Sequence, residues 1–251
     1  MWRPFGPADE PFAEGWWRPE ALDEAGLERV KQAFVDAAAR ADRAGFDVVE
    51  LHAAHGYLLH EFASPLSNTR TDRYGGSLEN RLRFPLQVAA ALRQAWPRTK
   101  ALGARITGSD WVEGGITPEE AAVFARELEA LGYDFIDVTS GGVVPYAKIP
   151  GAQPGYQASF AEAVKRAVSI PVSAVGMIVT PWQAEDIVAS GKSDLVAIAR
   201  AVLDDPRWGV HAAAALGAEP PLARQYLRAG PAAWPGYVLA HPQAGGDRAA
   251  A

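Results

Sequence analysis

His52, His55 and Tyr57 fall within six residues of one another. Two imidazoles three positions apart meet on one side of a chain that turns helical. Their N–H groups can polarise a carbonyl or nitro oxygen, and their lone pairs can bind a metal. The Tyr57 O–H adds a group able to deliver a proton. A lone histidine at a strand end is usually a satisfied structural residue, but two with a tyrosine favour chemistry. His60, His211 and His241 lack such company and read as structural or surface residues.

Arg105 is a cation inside the apolar run ALGARIT at residues 101–107. A charge there is expensive unless paired. It either forms an ion pair with a carboxylate on a neighbouring strand or points at an anionic or electron-rich ligand, and we favour the ligand. Further along stand Ser140-Gly141-Gly142, then Gly176-Met177, then Ala199-Arg200. Glycines let backbone N–H groups approach a phosphate, and arginine grips one with two parallel hydrogen bonds. Each alone reads as a turn or a surface salt bridge; together they favour a phosphate-bearing ligand.

These residues need elements that bring them together. Asp23 is a plausible N-cap for a helix with Leu27, Val30, Phe34 and Ala37/Ala38 at helical spacing, ending at Gly45. Strands are expected at 46–52, 101–107, 135–139, 171–175 and 195–199. Helices are expected at about 79–96, 118–131, 160–168, 181–189 and 206–216. This alternation indicates parallel βαβ units, whose ligands gather at the carboxyl ends of the strands. Every candidate residue listed so far lies at such an end. The polar run from Ser64 to Arg81 is expected to be an internally hydrogen-bonded loop bracing the site. The first 22 residues, with Trp2, Trp16 and Trp17, show no sustained period and are expected to lie against a partner surface or another part of the fold. Residues 231–251 form an Ala/Pro/Gly-rich tail expected to be disordered.

Composition narrows the functions. The chain of 251 residues carries 24 basic and 30 acidic side chains, a formal charge of −6, which argues against nucleic-acid or anionic-membrane binding. There is no cysteine, so disulfides, Cys-ligated zinc and thiol nucleophiles are excluded. No apolar run approaches the ~20 residues that span a bilayer, and a cytoplasmic enzyme is expected. No G-x-G-x-x-G or Walker A motif follows a strand, which disfavours a dinucleotide-binding domain.

The block HAAHGYLLHEFASPLSNTRTDRYGGSLENRLRF at residues 52–84 closely resembles the signature of the Old Yellow Enzyme family, FMN-dependent NAD(P)H ene-reductases with a TIM-barrel fold. Gly6-Pro7, Pro11-Phe12, the run from Thr139 to Pro145, and Gln225-Tyr226-Leu227-Arg228 resemble its xenobiotic-reductase-like subgroup. The resemblance runs from near residue 4 to about residue 230, a partial barrel domain. It implies that His52 and His55 bind the activating oxygen of an enone or nitro substrate, and that Tyr57 serves proton delivery. It implies that Arg105 contacts the flavin ring, and that Ser140, Gly141, Gly142, Gly176, Met177, Ala199 and Arg200 hold the phosphate. The family commonly has glycine where Ala199 stands. Arg228 matches an arginine that reaches a neighbouring subunit's site, which implies a homo-oligomer. The implied reaction is a ping-pong exchange with NADPH or NADH as reductant.

A closed barrel has eight βα units, and only five are countable here. The chain is therefore expected to form an incomplete barrel without the family's N-terminal third. Two alternatives stand beside the reductase. One is an inactive or incomplete fragment of such an enzyme. The other is a hydrolase whose metal is held by His52 and His55, which needs a third ligand that no strand end evidently supplies.

Overall fold

The computed structural model describes residues 3–220, 222–230 and 232–240. The expected Trp2 contact, the His241 assignment and most of the expected disordered tail lie outside the described residues.

Two short strands, β1 (Phe5–Gly6) and β2 (Glu20–Ala21), pair in parallel within the leading segment. Helix α1 (Glu24–Arg43) follows, its first turn capped where Asp23 accepts the Gly26 N–H at 2.7 Å. The main sheet contains β3 (Val48–Ala53), β4 (Ala101–Thr107), β5 (Phe135–Thr139), β6 (Val172–Val175) and β7 (Leu195–Ala197). All four pairings are parallel, and the spatial order is the sequence order. A doubly wound sheet reverses its order at a switch point; this one does not, which is the winding of a barrel.

The two faces differ as the alternation of side chains requires. Leu51, Leu102, Ala104, Ile106, Ile136, Val138, Val172 and Ala174 are buried in the core beneath the helices. Those helices include α3 (Leu78–Ala95), α4 (Pro118–Ala130), α5 (Ala158–Lys165) and α6 (Pro181–Ala189). The opposite face presents four polar residues in register, ending at an apolar one. His52 pairs with Arg105, Arg105 with Asp137, Asp137 with Ser173, and Ser173 with Leu195.

Three local features differ from expectation. A helix, α2 (Leu58–Ala63), begins directly after Tyr57, burying Leu59, Phe62 and Ala63 at helical spacing. The last expected helix is two, α7 (Arg200–Asp204) and α8 (Trp208–Ala215). They part at Asp205, which is extended at φ −122° and ψ 95° because the following Pro206 disfavours helical backbone there. Strand β7 ends at Ala197, two residues short of the expected 199, so Ala199 caps α7 instead. Trp16 and Trp17 are 62% and 65% exposed, and among the described residues Trp16 has the Phe12 ring 5.0 Å from its own. Near the C-terminus, a helical turn, α9 (Tyr237–Ala240), buries Tyr237.

The carboxyl of Glu61, on α2, is pushed up to about 7 by desolvation. The folded chain then holds a proton that the unfolded chain releases between about pH 4.5 and 7, so folding stability falls as pH rises through that window. Glu61→Gln is expected to recover roughly 2 kcal/mol of that loss at pH 8 while changing little at pH 4. Urea unfolding of both proteins at the two pH values measures it.

Candidate active site

The turn that carries the histidine pair is built from close backbone contact. His55 adopts a left-handed conformation at φ 60°, followed by Gly56 at φ 73°. Gly56 packs against Gly142 of the loop after β5 so tightly that a Cβ on Gly56 would lie 2.1 Å from the Gly142 carbonyl oxygen. Only glycine satisfies both the conformation and the approach. Gly56→Ala is expected to cost about 3 kcal/mol or more and to spread His55 from the β5 loop. Thermal unfolding would show a fall of several degrees.

A buried network holds this turn from below. His60 Nδ1 accepts the Gly56 N–H at 2.8 Å. Its Nε2–H then donates to Asp110 at 2.8 Å. Asp110 also accepts from the Ser64 hydroxyl at 2.7 Å and from the Ile116 N–H at 2.8 Å. His60, Ser64 and Asp110 are fully buried. Burial alone would raise the Asp110 carboxyl; the hydrogen bonds from His60, Ile116 and Ser64 outweigh it and hold the group below its usual range. His60 is thus structural, as expected, and Asp110 was not anticipated. The polar loop is braced internally as expected: Asn68 Nδ2 donates to the carbonyls of Phe62 and Tyr74, both at 2.7 Å. Arg70 ties it to the leading segment through the carbonyls of Pro7 and Leu22.

The structure brings His52, His55 and Tyr57 together. The His52 ring centroid lies 5.2 Å from that of His55 and 5.2 Å from that of Tyr57. Tyr57 is 63% exposed. Desolvation, then the charge of Arg105, lowers both histidines, His55 to about 4. Both imidazoles are therefore neutral at pH 7.

Arg105 combines the two readings of its sequence position. Its Nε lies 3.2 Å from Asp137 on β5, an ion pair, yet is not aligned to donate a hydrogen bond there. Desolvation raises the Asp137 carboxyl while Arg105 opposes. Glu50 is raised to about 7 by desolvation first and Asp137 second, with Arg105 opposing, although its edge meets solvent. The Phe135 ring covers Gly103 beside this row.

Ser140, Gly141 and Gly142 join Gly176 through a residue that sequence reasoning missed. Gln157 accepts from the hydroxyls of Ser140 and Thr139 and donates to the Val175 carbonyl at 3.1 Å. Gly176, at φ 118°, leaves room for it: a Cβ there would meet Gln157 Nε2 at 2.5 Å. Met177 follows at φ 50°, its carbonyl accepting from Gln183. The N–H groups of Gly142, Gly176 and Met177 find no acceptor among the described residues. Arg200 opens α7 with an exposed side chain that has no carboxylate partner among the described residues. Trp111, also missed, donates its indole N–H to Ser140 at 2.8 Å. Arg228 makes no hydrogen bond or ion pair with this cluster among the described residues. It sits exposed on the 3₁₀ turn Arg224–Ala229, bonded to none of the other candidates. Among the described residues, no three His, Asp or Glu side chains converge as a metal site.

The sequentially wound sheet and its strand-end residues have known counterparts. The profile of the NADH:flavin oxidoreductase / NADH oxidase family matches residues 8–219. The chain belongs to this family. That agrees with the Old Yellow Enzyme resemblance of residues 52–84, and flavin with a nicotinamide reductant is the chemistry the family is named for. NADPH dehydrogenase of Geobacillus thermodenitrificans is 45% identical over 222 residues, covering 88% of this chain and 64% of that protein. NADPH dehydrogenase of Bacillus subtilis is 42% identical over 224 residues, covering 89% and 65% respectively. The chain thus spans a little under two thirds of these relatives. Among solved structures, morphinone reductase superposes with a TM-score of 0.71 at 27% identity, over 87% of this chain and 61% of that one. A 2-naphthoyl-CoA reductase complex superposes with a TM-score of 0.76 at 31% identity, over 81% of this chain and 32% of that one. The fold is that of the family's (β/α)8 barrel, represented here by five strands.

Proposed function

We propose that this chain carries the substrate-oxygen and phosphate sides of an FMN-dependent NAD(P)H oxidoreductase site that reduces activated C=C bonds of α,β-unsaturated carbonyl or nitro compounds. The observation that carries this reading is His52 in register with Arg105 on one open sheet face, with the His55 ring 5.2 Å from that of His52.

The residues fit FMN. Gly176 forms a cradle that a Cβ would fill, and unpartnered N–H groups at Gly142, Gly176 and Met177 face no protein acceptor. Ser140–Gly142, Gly176–Met177 and Ala199–Arg200 would hold the phosphate, with Arg200 supplying charge-assisted hydrogen bonds. Arg105, poorly aligned on Asp137, would meet the electron-rich edge of the flavin ring. Bound FMN supplies the hydride chemistry, with NADPH or NADH as reductant. The protein's own work is positioning. An imidazole N–H stabilises charge developing on the substrate oxygen, worth a few kcal/mol per donor. The Tyr57 O–H, beside His52, delivers the proton. Arg228, exposed and bonded to none of the other candidates among the described residues, suits a reach into a second subunit of a homo-oligomer.

A second reading is favoured by one observation. Val48 and Leu195, on the face that a closed barrel would enclose, are about half exposed. An open sheet of this kind binds the cofactor's phosphate without completing the reaction. Incubating the chain with FMN and NADPH and adding 2-cyclohexenone separates the two. Enone-dependent NADPH oxidation above a free-FMN control is expected. A folded, FMN-bound protein that shows none would replace the reductase reading with the second.

A further inference from the structure

Three successive carbonyls at the end of β6 are each held by a donor from the protein. Val175 accepts from Gln157 Nε2 at 3.1 Å, Gly176 from the Gly155 N–H at 3.1 Å, and Met177 from Gln183 Nε2 at 2.7 Å. The donors stand close together. A Cβ on Gly155 would lie 3.6 Å from Gln183 Nε2, and one on Gly176 would lie 2.5 Å from Gln157 Nε2. A trans peptide points its N–H away from its carbonyl. Holding these carbonyls on one side therefore turns the N–H groups of Gly176, Met177 and Ile178 to the other. None of the three finds an acceptor among the described residues. The backbone is left-handed here, at φ 118° for Gly176 and φ 50° for Met177. In an extended chain successive N–H groups alternate sides; a turn of this kind gathers them, as in a backbone nest for anions. Met177 carries a side chain that disfavours such a conformation, so its neighbours must hold it there.

Neither glutamine can be turned round. Gln183 Oε1 accepts the Val179 N–H at 3.0 Å while its Nε2 meets a carbonyl, so only one orientation serves both ends. Gln157 Nε2 also meets a carbonyl, and its Oε1 accepts from the Ser140 hydroxyl at 2.5 Å. Ser140 in turn accepts the Trp111 indole N–H at 2.8 Å. We infer that Gln157 and Gln183 are positioning residues that aim the N–H groups of Gly176, Met177 and Ile178 at a single phosphate group. Ile178 enters as a third backbone donor. A peptide whose carbonyl accepts a hydrogen bond is polarised by it, so each held N–H is also a stronger donor. This deepens the proposed reading and rests on it for the phosphate's being that of FMN.

The test uses the full chain, with inorganic phosphate as the first probe. Backbone ¹H–¹⁵N spectra are recorded as sodium phosphate replaces sodium chloride at constant ionic strength. The amide signals of Gly176, Met177 and Ile178 are expected to move together and to saturate. Gln157→Met and Gln183→Met keep the bulk of each side chain and remove its donor. Each is expected to weaken phosphate binding about 3–10-fold, the worth of one net hydrogen bond. In flavin titrations the same variants are expected to bind riboflavin as the wild type does and to lose a similar factor in FMN affinity. A general loosening of the fold would weaken both flavins alike. Circular dichroism checks that each variant is folded; if one is not, the other decides, and if neither is, the wild-type amide shifts decide. Wild-type amides that ignore phosphate, or a folded variant with wild-type phosphate affinity, overturn the inference. A chain whose three amides move with phosphate but which binds no FMN sinks only the functional reading.

Discussion

Asp110→Asn is expected to lower the unfolding free energy by about 3–5 kcal/mol, the range for breaking one partner out of a buried charged network. The carboxylate receives three donors, from His60, Ser64 and Ile116. An amide offers one oxygen where two are needed and turns an N–H toward a donor, which strands a buried group. With about 2–4 °C per kcal/mol for a chain of this size, the melting temperature should fall on the order of 10 °C. The loss reaches the site as well. His60 accepts the Gly56 N–H only while its other nitrogen is satisfied by Asp110, so the turn between His55 and Tyr57 loosens. Circular dichroism through the thermal transition measures the first effect. Unchanged stability would mean that Asp110 is not the centre of the network.

The second large effect falls on chemistry. On the proposed assignment, the double substitution His52→Ala/His55→Ala is expected to slow enone-dependent turnover by about 10²–10³-fold, as loss of an oxyanion donor does. Stability should change little by comparison, because the His52 ring makes no hydrogen bond among the described residues and His55 makes one, to Thr139. Steady-state kinetics of the two single variants and the double variant decide it. Full turnover in the double variant contradicts the assignment.

The strand ends were legible because they are local. Each is a short β-rich run closed by a glycine, a polar residue or an arginine, and the observed strands at 101–107 and 135–139 match the expected ones residue for residue. Helix α2 was not legible: LLHEFA follows a polar turn and precedes a long polar loop, so its two inward leucine and phenylalanine positions are too few to show a period. Asp110, Trp111 and Gln157 escaped for a different reason. Each is a lone polar or aromatic residue in a loop, and none has a patterned neighbour in sequence. Gln157 meets Thr139 and Ser140 only because the loop after β5 folds back over the end of β6. Arg105 lay between two readings in the sequence, and the structure explains why. Parallel register places Asp137 beside it, while the geometry leaves its Nε without a hydrogen bond.

The central claim is that the ends of β3 to β7 form an FMN site with the phosphate held beside Gly176 and Arg200. Titrating the purified chain with FMN and, separately, with riboflavin, followed by flavin fluorescence, tests it most directly. The account predicts that FMN binds at least about tenfold more tightly than riboflavin, a difference of roughly 1.4 kcal/mol that Arg200→Ala abolishes. A folded chain that binds both flavins equally, or neither, contradicts it.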